Sequence, residues 1–239
     1  MADQRIHTML SHFSPRNRES VEHVGEILVV GLGRFGSALA HTLVDMGHEV
    51  LAVDADADRV QDHADALTHV VQADATSEKT LRQLGAADMV TAIVCIGTDI
   101  EASVLAAAAL VDVGVPNIWA KAITEAHGRI LGRVGAHHVV FPEADMGNRV
   151  AHLVTGSMLE YIALDENFVL VEMRAPNVLV GRRLAEVGLR ARYRVTVVCV
   201  KPEGEPFTYA TSDTALGPND LIVIAGHRDD VDRFSSLKE

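Results

Sequence analysis

Aromatic side chains are scarce in this sequence, where Phe, Trp and Tyr together make up 4% of the 239 residues. Hydrophobic residues nevertheless account for 48% of the chain, so its cores have to be built from Val, Leu, Ile and Ala. Such cores are typical of parallel β-sheets covered by alanine-rich helices. This composition therefore favours an α/β protein, and the chain is long enough for two domains.

Cysteines are few and long apolar segments are lacking. Cys95 and Cys199 each lie inside an apolar run and neither belongs to a CxxC pair, which predicts buried free thiols in a reducing compartment. The longest apolar run, residues 104–111, is far shorter than the about 20 residues that a membrane-spanning helix needs. Residues 1–23 contain no apolar block of the signal-peptide type. We therefore expect a cytoplasmic protein.

Basic residues are also few compared with acidic ones. The chain has 21 Lys and Arg against 33 Asp and Glu residues, and its formal net charge is −12. Surfaces that bind nucleic acid need clustered Lys and Arg to meet the phosphates, so we expect no nucleic-acid partner. Basic residues do cluster within residues 1–23. We interpret that segment as a flexible N-terminal tail, the alternative being a contact with a membrane surface.

From residue 25 to residue 141, short apolar runs alternate with helical patterns in six βα units. Continuous apolar runs predict strands that are buried on both faces, and the repeated crossovers predict a parallel sheet. Right-handed crossovers place helices on both sides of that sheet. The pattern therefore predicts an α/β Rossmann-type doubly wound parallel sheet, which forms a nucleotide-binding domain of residues 24–144.

The pattern changes after Pro142. Residues 145–160 read as one helix, with Met146, Val150 and Val154 at helical spacing. Shorter strands and helices follow, the strongest strands lying at residues 168–173 and 195–200. We predict a small α+β domain of residues 161–239, joined to the first domain by the helix of residues 145–160.

A glycine-rich motif, Gly31-Leu32-Gly33-Arg34-Phe35-Gly36, directly follows the first predicted strand and opens a helix. In this pattern the first glycine permits a tight turn, the second admits a phosphate, and the third lets the helix pack on the sheet. The helix N-terminus offers free N–H groups and a partial positive charge. Asp54 closes the second strand about 20 residues after Gly33, where an acid accepts hydrogen bonds from ribose hydroxyls. The motif predicts a purine nucleotide site.

The same residues narrow the choice of nucleotide. Asp54 disfavours a 2′-phosphate and hence NADP, while Arg34 lies within reach of a terminal or bridging phosphate. A hydride-transfer enzyme needs an acid–base residue that faces the nicotinamide. The histidines available, His127, His137 and His138, fall on or after the fifth helix and not at the C-termini of strands. A role without catalysis is favoured, and an NAD-dependent oxidoreductase and an NAD(H)-sensing regulator remain the alternatives.

Several segments together carry a family resemblance. They read GLGRFGSALA, GHEVLAVD, THVVQADATSEKTLRQLG, IVCIGTDIEASVL, NIWAKA and GRILGRVGAHHVVFPEADMGNRVA. In this order they resemble the RCK (KTN) domain of bacterial potassium-uptake regulators of the KtrA/TrkA type, over residues 25–151. Residues 159–239 resemble the accompanying RCK_C (TrkA-C) domain, through residues 190–193 and 221–226.

The resemblance implies a non-enzymatic cytosolic gating subunit of a potassium transport system, in which ATP and ADP compete for one site. The glycines, Arg34 and Lys121 would hold phosphates, Asp54 the ribose, and residues 74–76 would lie near the adenine. The full set assigned to the nucleotide by motif position is Gly31, Gly33, Arg34, Phe35, Gly36, Asp54, Asp74, Ala75, Thr76, Lys121 and Glu143.

Glu143 has a separate implied role. It would approach the γ-phosphate of a neighbouring subunit's ATP through Mg²⁺ or another cation, because two anions otherwise repel each other. A solvated loop acid is the alternative interpretation.

The resemblance also implies an assembly. Homodimers would form an octameric ring beneath a membrane potassium-translocating subunit of the KtrB/TrkH type, and the helix of residues 145–160 would cross over to the dimer partner. An ordinary interdomain helix is the alternative. Related C-terminal domains bind cyclic di-AMP, for which Arg190, Arg192 and Tyr193 are the candidates here. Arg194 stands where the family often has Gly, so cyclic di-AMP is only one alternative for this domain.

Overall fold

The computed structural model of the chain describes residues 26–67, 69–154 and 158–237. These residues divide into two compact units, the first ending at Pro142 and the second beginning at Glu143. The predicted N-terminal tail, residues 1–23, lies outside the described residues. The predicted domain limits at residues 144 and 160 stay predictions.

The first unit is a six-stranded parallel sheet in the order β3-β2-β1-β4-β5-β6. Its strands are β1 (Ile27–Val30), β2 (Val50–Asp54), β3 (His69–Gln72), β4 (Thr91–Val94), β5 (Ile118–Lys121) and β6 (His138–Val140). The chain winds outward from β1 to β3 and then returns to β4 on the other side of β1. This order is that of a doubly wound sheet, and it confirms the predicted fold class.

Helices follow the strands in alternation. They are α1 (Arg34–Asp45), α2 (Ala57–His63), α3 (Glu78–Gln83), α4 (Ile100–Val113) and α5 (Glu125–Val134), with a short 3₁₀ turn at Ala86–Asp88. The side chain of Thr124 caps α5 by accepting a hydrogen bond from the His127 amide at 3.1 Å. Gly114 ends α4 with a φ of 95°, a left-handed conformation that glycine adopts without strain.

Both faces of this sheet are covered. Leu28 and Val30 of β1 belong to one apolar cluster, which also includes Leu110 of α4. Val29, which points to the opposite face, packs in a second cluster that includes Ala40 of α1. The inner strands β1, β2, β4 and β5 therefore have the two buried faces that the sequence predicted, whereas the edge strands β3 and β6 contain no fully buried residue.

The second unit contains a five-stranded antiparallel sheet in the order β10-β9-β11-β8-β7. Its strands are β7 (Glu160–Ala163), β8 (Phe168–Arg174), β9 (Val195–Lys201), β10 (Thr208–Tyr209) and β11 (Leu221–His227). Its helices are α6 (Pro142–Val154), which begins at the division between the units, α7 (Leu184–Val187), α8 (Leu189–Tyr193) and α9 (Arg228–Ser235). Val169, Val171, Ile222, Ile224 and Phe234 are each fully buried in its core.

One predicted element requires correction. The helix expected at residues 145–160 is α6, which begins at Pro142 and ends at Val154, and Glu160 instead begins strand β7. Residues 155–157 are outside the described residues. The physical reason is that Tyr161 pairs with Val171 of β8 and is buried, so the sheet outweighs the apolar spacing that continues past α6.

Candidate functional site

The loop between β1 and α1 has the conformation that its glycines require. Gly31 has a φ of 97°, in the left-handed region. A Cβ at Gly36 would overlap the carbonyl oxygen of Gly31, so only glycine lets α1 start against this loop. A Cβ at Gly33, in contrast, would meet no described atom within 4 Å. The backbone at Gly33 therefore faces open space, on the side where the sequence predicts a phosphate.

Helix α1 begins at Arg34 without a side-chain cap, and its first turn carries no acidic residue. The first amides of a helix have no partners within the helix and carry a partial positive charge. Arg34 is exposed at this end and Phe35 is half-buried. The start of α1 is thus suited to an anionic ligand.

Lys121 adds a cation to the same crevice from the end of β5. Its residue is 7% exposed, and its Nζ lies 5.5 Å from the centre of the Phe35 ring. A Cβ at Gly97, in the loop after β4, would lie 3.1 Å from that Nζ. Residues from the ends of β1, β4 and β5 therefore meet here, next to the point where the strand order reverses and where doubly wound sheets bind ligands.

Cys95 lies beneath this crevice and is no nucleophile. Its burial raises the pKa of the thiol to about 12, although the nearby Lys121 charge acts in the opposite direction. The thiol is therefore protonated at neutral pH. Cys199, which the sequence also predicted to be buried, is half-exposed on β9. The register of β9 against β11 shifts between Val197 and Cys199, so Val197 and Val200 are the buried residues on either side of it.

Asp54, at the end of β2, is 7% exposed and links the β1–α1 loop to the start of α2 through hydrogen bonds. Its carboxylate accepts hydrogen bonds from the amides of Leu32, at 2.6 Å, and Asp56, at 2.9 Å. The guanidinium of Arg59 lies 3.4 Å from the same carboxylate. Sequence reasoning missed Arg59; its signal is a basic residue in the first turn of the helix that follows the acid.

Residues 74–76 form a turn after β3, beside the end of β2. The carboxylate of Asp74 accepts hydrogen bonds from the amide of Thr76 at 2.9 Å and from its hydroxyl at 2.7 Å. Both bonds favour the charged form and lower the pKa of Asp74. Ala75 is buried in the core. Asp54 and Gln72 are register partners on β2 and β3, so this turn and Asp54 share one edge of the sheet.

The remaining candidates lie in the second unit. Glu143 is an exposed residue in the first turn of α6. Within residues 26–67, 69–154 and 158–237, no three His, Cys, Asp or Glu residues are grouped so that they could hold a metal ion.

On α8, Arg190 donates a hydrogen bond to the Thr196 hydroxyl at 2.9 Å, and the Arg192 guanidinium lies 5.5 Å from the Tyr193 ring. Tyr193 in turn packs edge-on against Phe234. These residues, which the sequence grouped as a second-messenger site, therefore lie together on one short helix.

The three histidines considered for catalysis make hydrogen-bond or ring contacts with neighbouring residues of the first unit. His127 is 1% exposed, and its Nδ1 accepts a hydrogen bond from the Ile123 amide at 3.4 Å. Desolvation lowers the pKa of His127, which keeps its ring neutral. The Nδ1 of His137 accepts a hydrogen bond from the Ile118 amide at 3.0 Å, and the His138 ring stacks on Trp119.

In the described part of the chain, every helix is too short or too polar to cross a bilayer.

Comparisons with known proteins agree with this architecture. The TrkA-N domain matches residues 27–142 and the TrkA-C domain matches residues 168–238. Ktr system potassium uptake protein C of Bacillus subtilis (strain 168) is 36% identical over 210 residues, which are 87% of this chain and 95% of the relative. Ktr system potassium uptake protein A of Vibrio alginolyticus is 34% identical over 205 residues, 85% of this chain and 93% of that protein.

A solved structure shares the fold. The GsuK RCK domain superposes with a TM-score of 0.62 at 20% identity over 99% of this chain, which spans 51% of that chain. Both domain types and the relatives cover nearly all of the described residues in the same order. The chain, which joins a TrkA-N domain to a TrkA-C domain, therefore belongs to the family of Ktr and Trk potassium uptake proteins.

Proposed function

We propose that this chain is a regulatory gating subunit of a potassium uptake system, which binds ATP or ADP at the β1–α1 loop. The observation that carries the proposal is the cationic crevice formed by the uncapped start of α1, the exposed Arg34 and the buried Lys121. Adenine nucleotides differ from one another in the number of phosphates, and this crevice places its charges where phosphates would lie.

The proposed ligand change is energetically sufficient for gating. Shifting a two-state assembly from 1:99 to 99:1 takes about 5.5 kcal/mol of differential binding. In the proposed octameric ring each of eight sites would need to supply about 0.7 kcal/mol. A single charge-assisted hydrogen bond contributes about 1.5–3 kcal/mol, so one contact between Arg34 and the γ-phosphate is enough.

The second unit supplies the proposed link between subunits. Met146, Val150 and Val154 of α6 are 47%, 45% and 75% exposed, and they follow one another at intervals of one helical turn. Exposed apolar side chains in such a stripe support a helix that docks on a second copy of the chain. Glu143 lies in the first turn of the same helix, and we propose that it reaches a neighbouring nucleotide through Mg²⁺ or another cation.

The membrane partner and the absence of catalysis are part of the same proposal. The similar Ktr proteins are named as components of potassium uptake systems, which supports a cytoplasmic subunit beneath a membrane potassium-translocating subunit. Cyclic di-AMP at Arg190, Arg192 and Tyr193 is an additional proposal for the C-terminal domain, supported by the proximity of these residues on α8.

The proposal predicts that Arg34→Ala abolishes the difference between ATP and ADP. Arg34 is exposed at the start of α1, so the variant should fold normally while both nucleotides bind with equal affinity. Isothermal titration of both proteins with ATP and ADP measures this difference, and thermal unfolding checks the fold. Unchanged discrimination in the variant would remove Arg34 from the proposed γ-phosphate contact.

An NAD(H)-sensing regulator is the second candidate, because a buried acid at the end of β2 is the residue that dinucleotide-binding folds use for an adenosine ribose. A thermal-shift screen separates the two, since a ligand at 100 times its Kd adds about 2.7 kcal/mol of stability. Stabilisation by NADH alone would favour the second candidate. Potassium uptake by transport-deficient cells, with and without this chain, tests the gating role for either ligand.

A further inference from the structure

The carboxylate of Asp54 accepts hydrogen bonds from three groups of its own chain. Its Oδ1 accepts a hydrogen bond from the Asp56 amide at 2.9 Å. Its Oδ2 accepts from the Leu32 amide at 2.6 Å and from the Arg59 guanidinium at 3.4 Å. A carboxylate has about four acceptor positions, two on each oxygen. The contacts within the described residues therefore leave Asp54 one position, on Oδ1.

A ribose needs more than that one position. Its adjacent 2′ and 3′ hydroxyls are two donors, and a carboxylate receives both when each oxygen has a free acceptor position. One of the two donors on Oδ2 consequently has to leave. The Leu32 bond is short and buried, whereas the Arg59 contact is long and its side chain is 49% exposed. Exposed ion pairs are weak, so Arg59 is the partner that leaves.

Arg59 remains close to the ligand after it leaves Asp54. Its Nε lies 3.6 Å from the carboxylate of Asp56, a second anchor that does not involve Asp54. Arg59 therefore stays in the first turn of α2, at the edge of the sheet that carries Asp54 and the turn of residues 74–76. An adenine base that extends from a ribose held by Asp54 lies at this edge, and a planar guanidinium stacks well on an aromatic face.

We infer that Arg59 is a specificity-determining residue for the adenosine end of the ligand, displaced from Asp54 by the ribose and then packed against the adenine base. This inference rests on the proposed function and adds a subsite to it. The ligand class is an adenosine nucleotide with a free ribose diol. Because Arg59 acts at the end of the ligand away from the phosphates, it contributes equally to the binding of ATP, ADP and NAD.

The test is a set of calorimetric titrations of the full-length protein with ATP, ADP and inorganic tripolyphosphate. Arg59→Ala should weaken the affinities for ATP and ADP by the same factor, about fivefold to tenfold. The affinity for tripolyphosphate should be unchanged. The ATP and ADP affinities of Arg59→Lys should lie between those of the unmodified protein and those of Arg59→Ala, because lysine keeps the charge and loses the flat face. Arg82→Ala is the matched control: Arg82 is 48% exposed and pairs with Glu78 at 2.8 Å on α3, so its loss should change none of the three affinities.

Other results would overturn the inference. An unchanged ATP affinity in Arg59→Ala would mean that Arg59 serves only the free protein, and a larger loss for ATP than for ADP would place it at the phosphates. Tighter binding of NADP than of NAD would mean that Arg59 receives a 2′-phosphate. Failure of the unmodified protein to bind any adenine nucleotide would refute the proposed function itself. Arg59→Lys keeps the experiment decisive if the alanine variant does not fold.

Discussion

Gly33 and Gly36 belong to one loop, yet an added methyl group would meet very different surroundings at the two positions. At Gly36 it would overlap the carbonyl oxygen of Gly31, and at Gly33 it would meet no described atom within 4 Å. Gly33 also has a φ of −66° and a ψ of −177°, an extended conformation that alanine can adopt. The loop thus contains one glycine that the packing requires and one that leaves room for the proposed ligand.

This contrast leads to a paired prediction. Gly36→Ala should destabilise the protein by about 1–3 kcal/mol, because the start of α1 has to move away from the loop. Gly33→Ala should change stability by less than about 0.5 kcal/mol and weaken ATP binding, because its methyl group occupies the space predicted for a phosphate. Urea unfolding and ATP titration measure the two effects. Equal stability losses in both variants would contradict this division of roles.

Arg194 is the one residue other than glycine with a positive φ in the described segments, at 59°. The left-handed conformation costs a residue with a Cβ about 1–2 kcal/mol. Arg194→Gly should therefore stabilise the protein by about 0.5–1 kcal/mol, after allowance for the greater freedom of glycine in the unfolded chain. Arg192→Gly, within helix α8, should instead lower the free energy of unfolding by about 1 kcal/mol. Urea midpoints of the two variants decide the matter, and a less stable Arg194→Gly would show that the Arg194 side chain makes a stabilising contact.

At the scale of elements, sequence reasoning performs best where the signal is local. The βα units and the glycine-rich loop are set by neighbouring residues, and the structure contains both. Strand β7 was missed because it is only four residues long and owes its conformation to pairing with β8. Arg59 was missed although it stands only five residues after Asp54, because a basic residue in the first turn of a helix does not by itself indicate a contact with the acid before it.

Helix α5 and the loop before it give a prediction for pH. Desolvation lowers the pKa of His127 below its usual 6.5, and its Nδ1 accepts the Ile123 amide. The folded protein therefore binds fewer protons at this site than the unfolded chain does. The contribution of His127 to the free energy of unfolding should be fully present above about pH 6.5. It should be lost as the pH falls from there through the folded-state pKa of His127.

His127→Asn tests this origin, because an asparagine oxygen can take the place of Nδ1 as an acceptor without acquiring a proton. The variant should show a smaller loss of unfolding free energy between pH 7 and pH 5 than the unmodified protein, measured by urea unfolding at each pH. His69→Asn, at an exposed position on β3, is the control and should keep the original pH dependence. Identical pH profiles for all three proteins would show that His127 is not the group responsible.

At the scale of the whole molecule, an acidic protein is proposed to bind a strongly anionic ligand. The formal net charge of −12 repels nucleotides at long range, but mobile ions screen that repulsion beyond about 8 Å at physiological ionic strength. Binding then depends on charges close to the ligand, which are the start of α1, Arg34 and Lys121. Local placement of a few cations can therefore outweigh the charge of the whole chain.

The proposed assembly depends on the apolar stripe of α6, which gives the last prediction. Val150 is 45% exposed in the middle of that stripe. Val150→Lys should leave each subunit folded, because lysine is a good helix former and Val150 does not lie in a buried core. It should reduce the mass in solution from that of the oligomer to that of the monomer, because a lysine at the centre of an apolar interface would have to be desolvated. Light scattering after size-exclusion chromatography measures this mass.

Met46→Lys is the appropriate comparison, since Met46 is 56% exposed and lies just past the end of α1. This variant should keep the oligomer, because a single exposed methionine outside the stripe is ordinary for a protein surface. If ligand state is passed between subunits through α6, Val150→Lys should also abolish any cooperativity of ATP binding while each isolated site still binds. An intact oligomer in Val150→Lys would refute the proposed role of α6. Cooperative ATP binding by a monomeric Val150→Lys protein would show that the coupling does not pass between copies through α6, because coupling between copies cannot survive their dissociation.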